Sequence, residues 1–271
     1  MIDENRSGSS GWMNRLRERA GWMQKPVLST DASVQGGINS FSRPSKLHSE
    51  GARQAYERSL AKEKERAGRG KERSLLLDIP LTELPVVVID LETTGFEPYA
   101  DEIISIGAKK IVGTKWEQGE DCEWYELLNP GIHIPSHIEL LTGITNEEVT
   151  EARSVSDGLR HFVQFVDKRL IIAHASGHDK AFLRTALWRY HRHTWKYRML
   201  DTMLVAKWLY PKQRELDLDT LAQMHGISIV KRHHALYDAR TAGELWMNFV
   251  DQALAKRVMT LREMYMYLSQ Y

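Results

Sequence analysis

The sequence predicts an α/β domain behind a polar, basic extension, and three observations carry that expectation. Val86 to Ile89 form an uninterrupted apolar, β-branched run, the mark of a strand buried on both faces. A helical pattern with Leu159, Phe162, Val163 and Val166 on one face leads into a second apolar strand, Leu170 to Ala173. Ahead of Leu81, by contrast, the chain is polar and rich in charge. Its 271 residues leave room for one domain of ordinary enzyme size plus an extension, or for two small domains.

Residues 1–80 carry 15 Lys and Arg against 10 Asp and Glu, whereas the remainder carries 22 against 26. A basic surplus therefore precedes a mildly acidic domain. The stretch from Pro26 to about Arg73 is polar and ends in a mixed charge run. Ala52 to Ala67 has the spacing of a solvated helix but too few apolar residues for a core, so residues 1–80 are expected to be a poorly ordered extension or a loosely docked arm. Within it, Gly11-Trp12-Met13 recurs as Gly21-Trp22-Met23 around Arg15, Arg17 and Arg19. That pattern suits docking on a protein partner or a nucleic-acid backbone, and equally a short helix folded back on the chain's own surface.

The domain is expected over residues 81–255. Ile103 to Ile111 and Trp124 to Leu128 read as strands joined by a turn-rich connection from Gly113 to Glu123. Ser154 or Ser156 can cap the helix that precedes Leu170. Further helices are expected at about Asp179 to His193, Asp201 to Leu209, Leu218 to His225 and Ala235 to Leu254, with Asp201 as a cap. Residues 256–271 read as a helical tail whose tyrosines pack. Glu97, Asp101 and Glu102 fall in a turn-like segment where solvation is expected.

The lone Cys122 excludes an intramolecular disulfide and a cysteine-based zinc site, which suits a reducing compartment such as the cytosol. No apolar run approaches the roughly 20 residues that span a bilayer, and the start lacks the apolar centre of a secretory signal. Neither export nor membrane insertion is expected.

The chemistry concentrates in three segments. Successive strand side chains alternate, so Asp90 and Glu92 share one face at the end of the first strand while Leu91 takes the other. Two such carboxylates repel and resist desolvation unless a cation lies between them, and hard oxygen donors suit magnesium or manganese. Asp179 opens a helix at the carboxyl end of the strand closing at Ala173, the edge where ligands gather in open α/β sheets. In Arg232-His-His-Ala-Leu-Tyr-Asp238, the loop residue His233 precedes a carboxylate in the first helical turn, a spacing that sets a general base beside a metal-bound water. His234 has the same opportunity, and Arg232 could reach a phosphate.

These ordered segments, Asp90-x-Glu92, Asp179 with Phe182-Leu183, and His233-x-Ala-Leu-x-Asp238, resemble the three motifs of the DnaQ-like exonucleases, in the His-containing branch called DEDDh. Leu141-Thr-Gly-Ile-Thr145 is similar to a stretch which that family places between its first two motifs, and the resemblance covers about Val86 to Phe249. The overall similarity is to the epsilon, proofreading, subunits of bacterial DNA polymerase III, although here the extension lies before the domain. The resemblance implies a ribonuclease H-like fold, a mixed sheet flanked by helices. It also implies removal of nucleoside 5′-monophosphates from the 3′ end of single-stranded DNA or RNA. Asp90, Glu92, Asp179 and Asp238 would hold two divalent cations, Mg2+ or Mn2+, with His233 as general base. Thr93, Thr94 and Gly95 would hold the terminal nucleotide.

One departure stands in the second motif. The family usually shows His-Asn where this chain has His174-Ala175, and His178 fills a position that is commonly aromatic. The support of the substrate strand is what this puts in question. A non-catalytic module that binds nucleic-acid ends is the alternative reading, and a homodimer stays open because some family members pair.

Overall fold

The computed structural model describes residues 76–271, so the Gly-Trp-Met repeat and the helical run at 52–67 lie outside the described residues. Seven strands form one sheet: β1 (Pro85–Thr93), β2 (Ile103–Val112), β3 (Lys115–Trp116), β4 (Glu123–Asn129), β5 (Arg153–Ser154), β6 (Leu170–Ala173) and β7 (Met199–Asp201). Their order is β5-β4-β2-β1-β6-β7, with β3 paired to β2 at the side. β1 runs antiparallel to β2 and parallel to β6, so the sheet is mixed. The apolar run of β1 is central, and Val86 to Ile89 are fully buried.

Alternation along β1 sorts its side chains between two helical layers. Val86 and Val88 face α5 (Thr202–Leu209), α6 (Leu218–Met224), α7 (Ala235–Ala255) and α8 (Leu261–Leu268), where Trp246 and Phe249 are completely buried. Burial of side chains this size contributes about 1.5–3 kcal/mol each. Val87, Ile89 and Leu91 face α3 (Val155–Val166) and α4 (Gly177–His191). The same parity aims Asp90 and Glu92 at the α7 side. A smaller cluster beneath α1 (Ser136–Thr142) and α2 (Asn146–Thr150) gathers Ile104, Ile134, Ile138, Ile144 and Val149.

The first layer also takes in residues on both flanks of the expected domain. Val258, Leu261, Met264 and Leu268 are buried in it, Leu76, Leu77 and Ile79 pack against it, and Leu81 N–H donates to Met259 O at 2.7 Å. The apolar stripe of α8 needs such a face to cover it.

Two local expectations change. The helix expected from about Asp201 begins at Thr202, and Asp201 ends the strand β7 while its side chain caps α5 by accepting from Met203 N–H. Glu102 is not solvated: it is buried and paired with Arg189 of α4. Ser154, rather than Ser156, caps α3.

Gly107 explains how α7 approaches the sheet. It lies opposite Asp90 in the β1–β2 register, and a Cβ built there would stand 2.2 Å from the backbone carbon of Ala235 and the backbone nitrogen of Leu236. Only a residue without a side chain lets the start of α7 rest there.

Candidate active site

Three chain segments converge on the α7 side of β1. Asp90 is partly exposed, whereas Glu92 is 8% exposed and both Asp179 and Asp238 are 4% exposed. β1 shifts register between Glu92 and Thr93, which turns the chain away just after the second carboxylate. Asp179 sits in the first turn of α4, where its carboxylate takes a hydrogen bond from the backbone of Leu91. Asp238 sits in the first turn of α7, and His233 N–H donates to its Oδ2 at 2.9 Å.

Glu92, His233 and Asp238 each offer a ligand atom, and those atoms all lie within 4.8 Å of one another. His233 holds a positive φ of 56°, a conformation that aims the loop backbone at Asp238. His234 is diverted: its ring stacks on Tyr125 at 4.5 Å between centroids and packs on Tyr237 at 4.7 Å. The imidazole among the carboxylates is that of His233.

The residues after β1 divide. Thr93 Oγ1 donates to Gly95 O at 2.6 Å and lies 3.2 Å from His178 Nε2. Thr94 is buried, its Oγ1 donating to Asp101 Oδ1 at 3.1 Å and accepting from Glu102 N–H at 3.0 Å. Gly95 packs directly on the Asp101 carboxylate, which a Cβ would meet at 2.4 Å. Thr94 and Gly95 thus brace the loop, while Thr93 joins it to α4.

In the second motif, His178 behaves as an aromatic residue, 4.6 Å from the Phe182 ring and 6.1 Å from that of Phe96. Burial pushes its pKa down to about 4, so the ring is neutral at pH 7. Ala175 occupies left-handed backbone, φ 53°, which asparagine tolerates better than alanine. Its N–H and that of Ser176 donate to Asp201 at 3.0 and 2.8 Å. Asp201, read from sequence as a cap alone, therefore anchors the loop that delivers Asp179.

Burial, reinforced by Asp179, Glu92 and Asp238, raises the pKa of Asp90 well above the usual carboxylate range. Burial pushes Glu92 up to about 8 and Asp179 up to about 7, and raises Asp238 as well. One resident cation opposes this: Arg232 pairs with Asp238 Oδ2 and, at 2.7 Å, with Asp219 Oδ1 of α6. Arg232→Gln leaves the carboxylates without that counter-charge. In metal-free buffer it is expected to cost about 1–3 kcal/mol, a partly solvated share of the penalty for breaking a buried pair. A divalent ion should restore most of the loss, and a melt with and without Mn2+ reads both effects.

The donor set fits a hard divalent cation. Asp90 interacts with the other three carboxylates, the His233 imidazole joins Glu92 and Asp238, and Asp238 Oδ1 is buried without a hydrogen-bond partner. A carboxyl whose folded-state pKa is raised stabilises the fold fully below its unfolded value, near 4, and loses that contribution as pH climbs through the folded value. Metal-free protein is therefore expected to lose stability from about pH 4 to about pH 8, the span up to the raised values of Asp179 and Glu92. Divalent-ion binding should release protons and tighten between about pH 7 and pH 8. Titration calorimetry in buffers of different ionisation enthalpy counts those protons, and a count unchanged from pH 6 to 9 would contradict the assignment.

Comparison with known proteins follows the same residues. A family model described as an exonuclease of the RNase T type matches residues 87–246. The PolC-type DNA polymerase III of Thermotoga maritima is 33% identical over 192 residues, 71% of this chain and 14% of that protein. The PolC-type enzyme of Clostridium perfringens is 33% identical over 160 residues, covering 59% and 11%. The chain thus spans only a small part of the length of these relatives. Among solved structures, Exonuclease X in complex with 5′ overhanging duplex DNA superposes with a TM-score of 0.54 at 18% identity, covering 68% of this chain and 99% of that one. E. coli Exonuclease I with a dA16 oligonucleotide gives 0.55 at 18% identity, covering 65% and 42%. The shared fold is the ribonuclease H-like mixed sheet flanked by helices.

Proposed function

This chain belongs to the exonuclease family that its residues 87–246 match, and from that premise we propose a metal-dependent enzyme that removes nucleotides from the 3′ end of single-stranded DNA or RNA. The observation that carries the proposal is the convergence of Asp90, Glu92, Asp179 and Asp238 with His233 from three distant segments. A cluster of carboxylates facing a polyanion serves no binder unless cations neutralise it.

The four carboxylates would hold two Mg2+ or Mn2+ ions, and such a pair supplies charge stabilisation at the scissile phosphate and lowers the pKa of the attacking water. His233 would accept that water's proton on its imidazole. Burial, reinforced by the positive charge of Arg232, lowers its pKa, so the ring is neutral and able to accept at pH 7. Thr93, fixed between Gly95 and His178, supports a place for the terminal nucleotide beside Glu92. Thr94 and Gly95 would act there through the shape of the loop. The single buried thiol of Cys122 supports work in a reducing cytosol, and the basic surplus of residues 1–80 supports a partner docked through the extension. Among the described residues, no helix is long and apolar enough to cross a membrane.

The test is incubation with 5′-labelled and 3′-labelled single-stranded DNA and RNA in Mg2+, Mn2+ or chelator. A ladder shortening from the 3′ end, with release of 5′-monophosphates and silenced by chelator, is the expected result. Binding without cleavage in either metal would move the reading to an end-binding module, and shortening from the 5′ end would overturn the polarity.

A further inference from the structure

The outer face of α4 carries a stripe that the active site does not use. Lys180, Arg184 and Trp188 follow one another at intervals of four residues along one side of the helix, Arg192 caps its carboxyl end, and all four are exposed. Trp188 leaves 54% of its surface in solvent, and the Arg192 guanidinium lies 5.8 Å from its ring centroid. None of the three cations forms an ion pair among the described residues. Arg189 on the same helix, by contrast, pairs with Glu102, as Arg240 does with Glu123 and Arg262 with Asp78.

Like charges four residues apart work against a helix, and an exposed indole gains nothing from water. Unpaired cations around an open aromatic face are the elements that hold a single strand, the cations tracking phosphates and the ring stacking on a base. Lys180 directly follows Asp179, so the stripe begins one residue from the carboxylate cluster and runs outward along α4. From Lys180 to Arg192 the helix rises about 18 Å, at about 1.5 Å per residue. A stacked strand advancing about 3.4 Å per nucleotide covers that span with about five nucleotides.

Resting on the reading of the site as a 3′ exonuclease, we propose that this face of α4 binds the single strand upstream of the terminal nucleotide. Lys180, Arg184 and Arg192 contact phosphates, and Trp188 stacks on a base.

Fluorescence anisotropy of a labelled 15-nucleotide DNA, with the full chain in EDTA to stop hydrolysis, tests this. The Lys180→Gln, Arg184→Gln, Arg192→Gln triple variant should bind more weakly and show a log-affinity against log-salt slope shallower by about 2, at about 0.7 per phosphate contact. Trp188→Ala should weaken binding roughly 5- to 150-fold. A charge-retaining triple variant, Lys180→Arg, Arg184→Lys, Arg192→Lys, should keep the wild-type slope. Turnover of the p-nitrophenyl ester of thymidine 5′-monophosphate in Mn2+, a substrate too short to reach the stripe, should be unchanged in every variant.

An unchanged slope in the glutamine variant, or wild-type protein that does not bind the 15-mer, overturns the proposal. So does equal competition by polyglutamate with no effect of Trp188→Ala, which would indicate an acidic protein partner. Wild-type protein inert toward the ester, together with 15-mer binding lost in the variants, would sink the exonuclease reading and leave the strand-binding face standing.

Discussion

Asp90→Ala is expected to lower kcat at least a thousandfold while leaving the protein folded. Asp90 faces Asp179, Glu92 and Asp238 at once, so its removal takes a carboxylate from the shared centre of the cluster. Losing a metal-held charge at a phosphoryl centre forfeits several kcal/mol of transition-state stabilisation, and each 1.36 kcal/mol is tenfold in rate. Stability should move the other way. The variant deletes a carboxylate that its three acidic neighbours repel, so its melting temperature in EDTA should match or exceed that of the parent. Single-turnover hydrolysis of an end-labelled oligonucleotide beside a thermal melt measures both. A variant that retains a tenth of the parent's rate would remove Asp90, and with it the cluster, from the chemistry.

The second large effect is expected at a residue with no side chain to titrate, directly opposite Asp90 in the sheet. Gly107→Ala places a methyl where the backbone of Ala235 and Leu236 already stands, at 2.2 Å, and backbone cannot swing aside as a flexible side chain can. The start of α7 must move off the sheet, carrying Asp238 and the His233 loop with it. A displacement of about 1 Å at reacting groups costs about a hundredfold, so kcat/KM should fall by about that factor. Overpacking should also cost about 1–3 kcal/mol of stability.

Gly243 on the same helix provides the control. A Cβ there would crowd the ring of Trp116 at 2.3 Å, a side chain at the sheet's edge with no part in the site. Gly243→Ala should therefore lose stability while keeping most of its activity. Equal activity losses in the two variants would mean that general destabilisation, and not the placement of Asp238, explains the first.

Much of the fold was legible because it follows from local periodicity. The β-branched run of β1, the alternation that separates Asp90 and Glu92 from Leu91, and the apolar stripe of α3 are each set within a dozen residues. Ser154 as a cap and Asp201 before a helix were readable in the same way, since capping is a contact between near neighbours. The very short strands were not. Three residues at β7 and two each at β3 and β5 carry no period, and they become strands only because a neighbouring strand offers unpaired backbone groups.

Local sequence specifies which side chains share a face and which chemistry they carry: two carboxylates on one side of a buried strand, a third opening a helix, and a His–Asp pair spaced across a helix start. What stands around them follows from the packing of the whole domain. Asp201 anchors the loop before Asp179 from 25 or 26 residues away, Glu102 is buried against Arg189, Tyr125 and Tyr237 hold His234 aside, and Arg232 bridges Asp219 to Asp238. Each of these joins segments whose meeting depends on strand order and helix docking. A local pattern specifies the direction in which a side chain points, and the packing of distant elements specifies what it meets there.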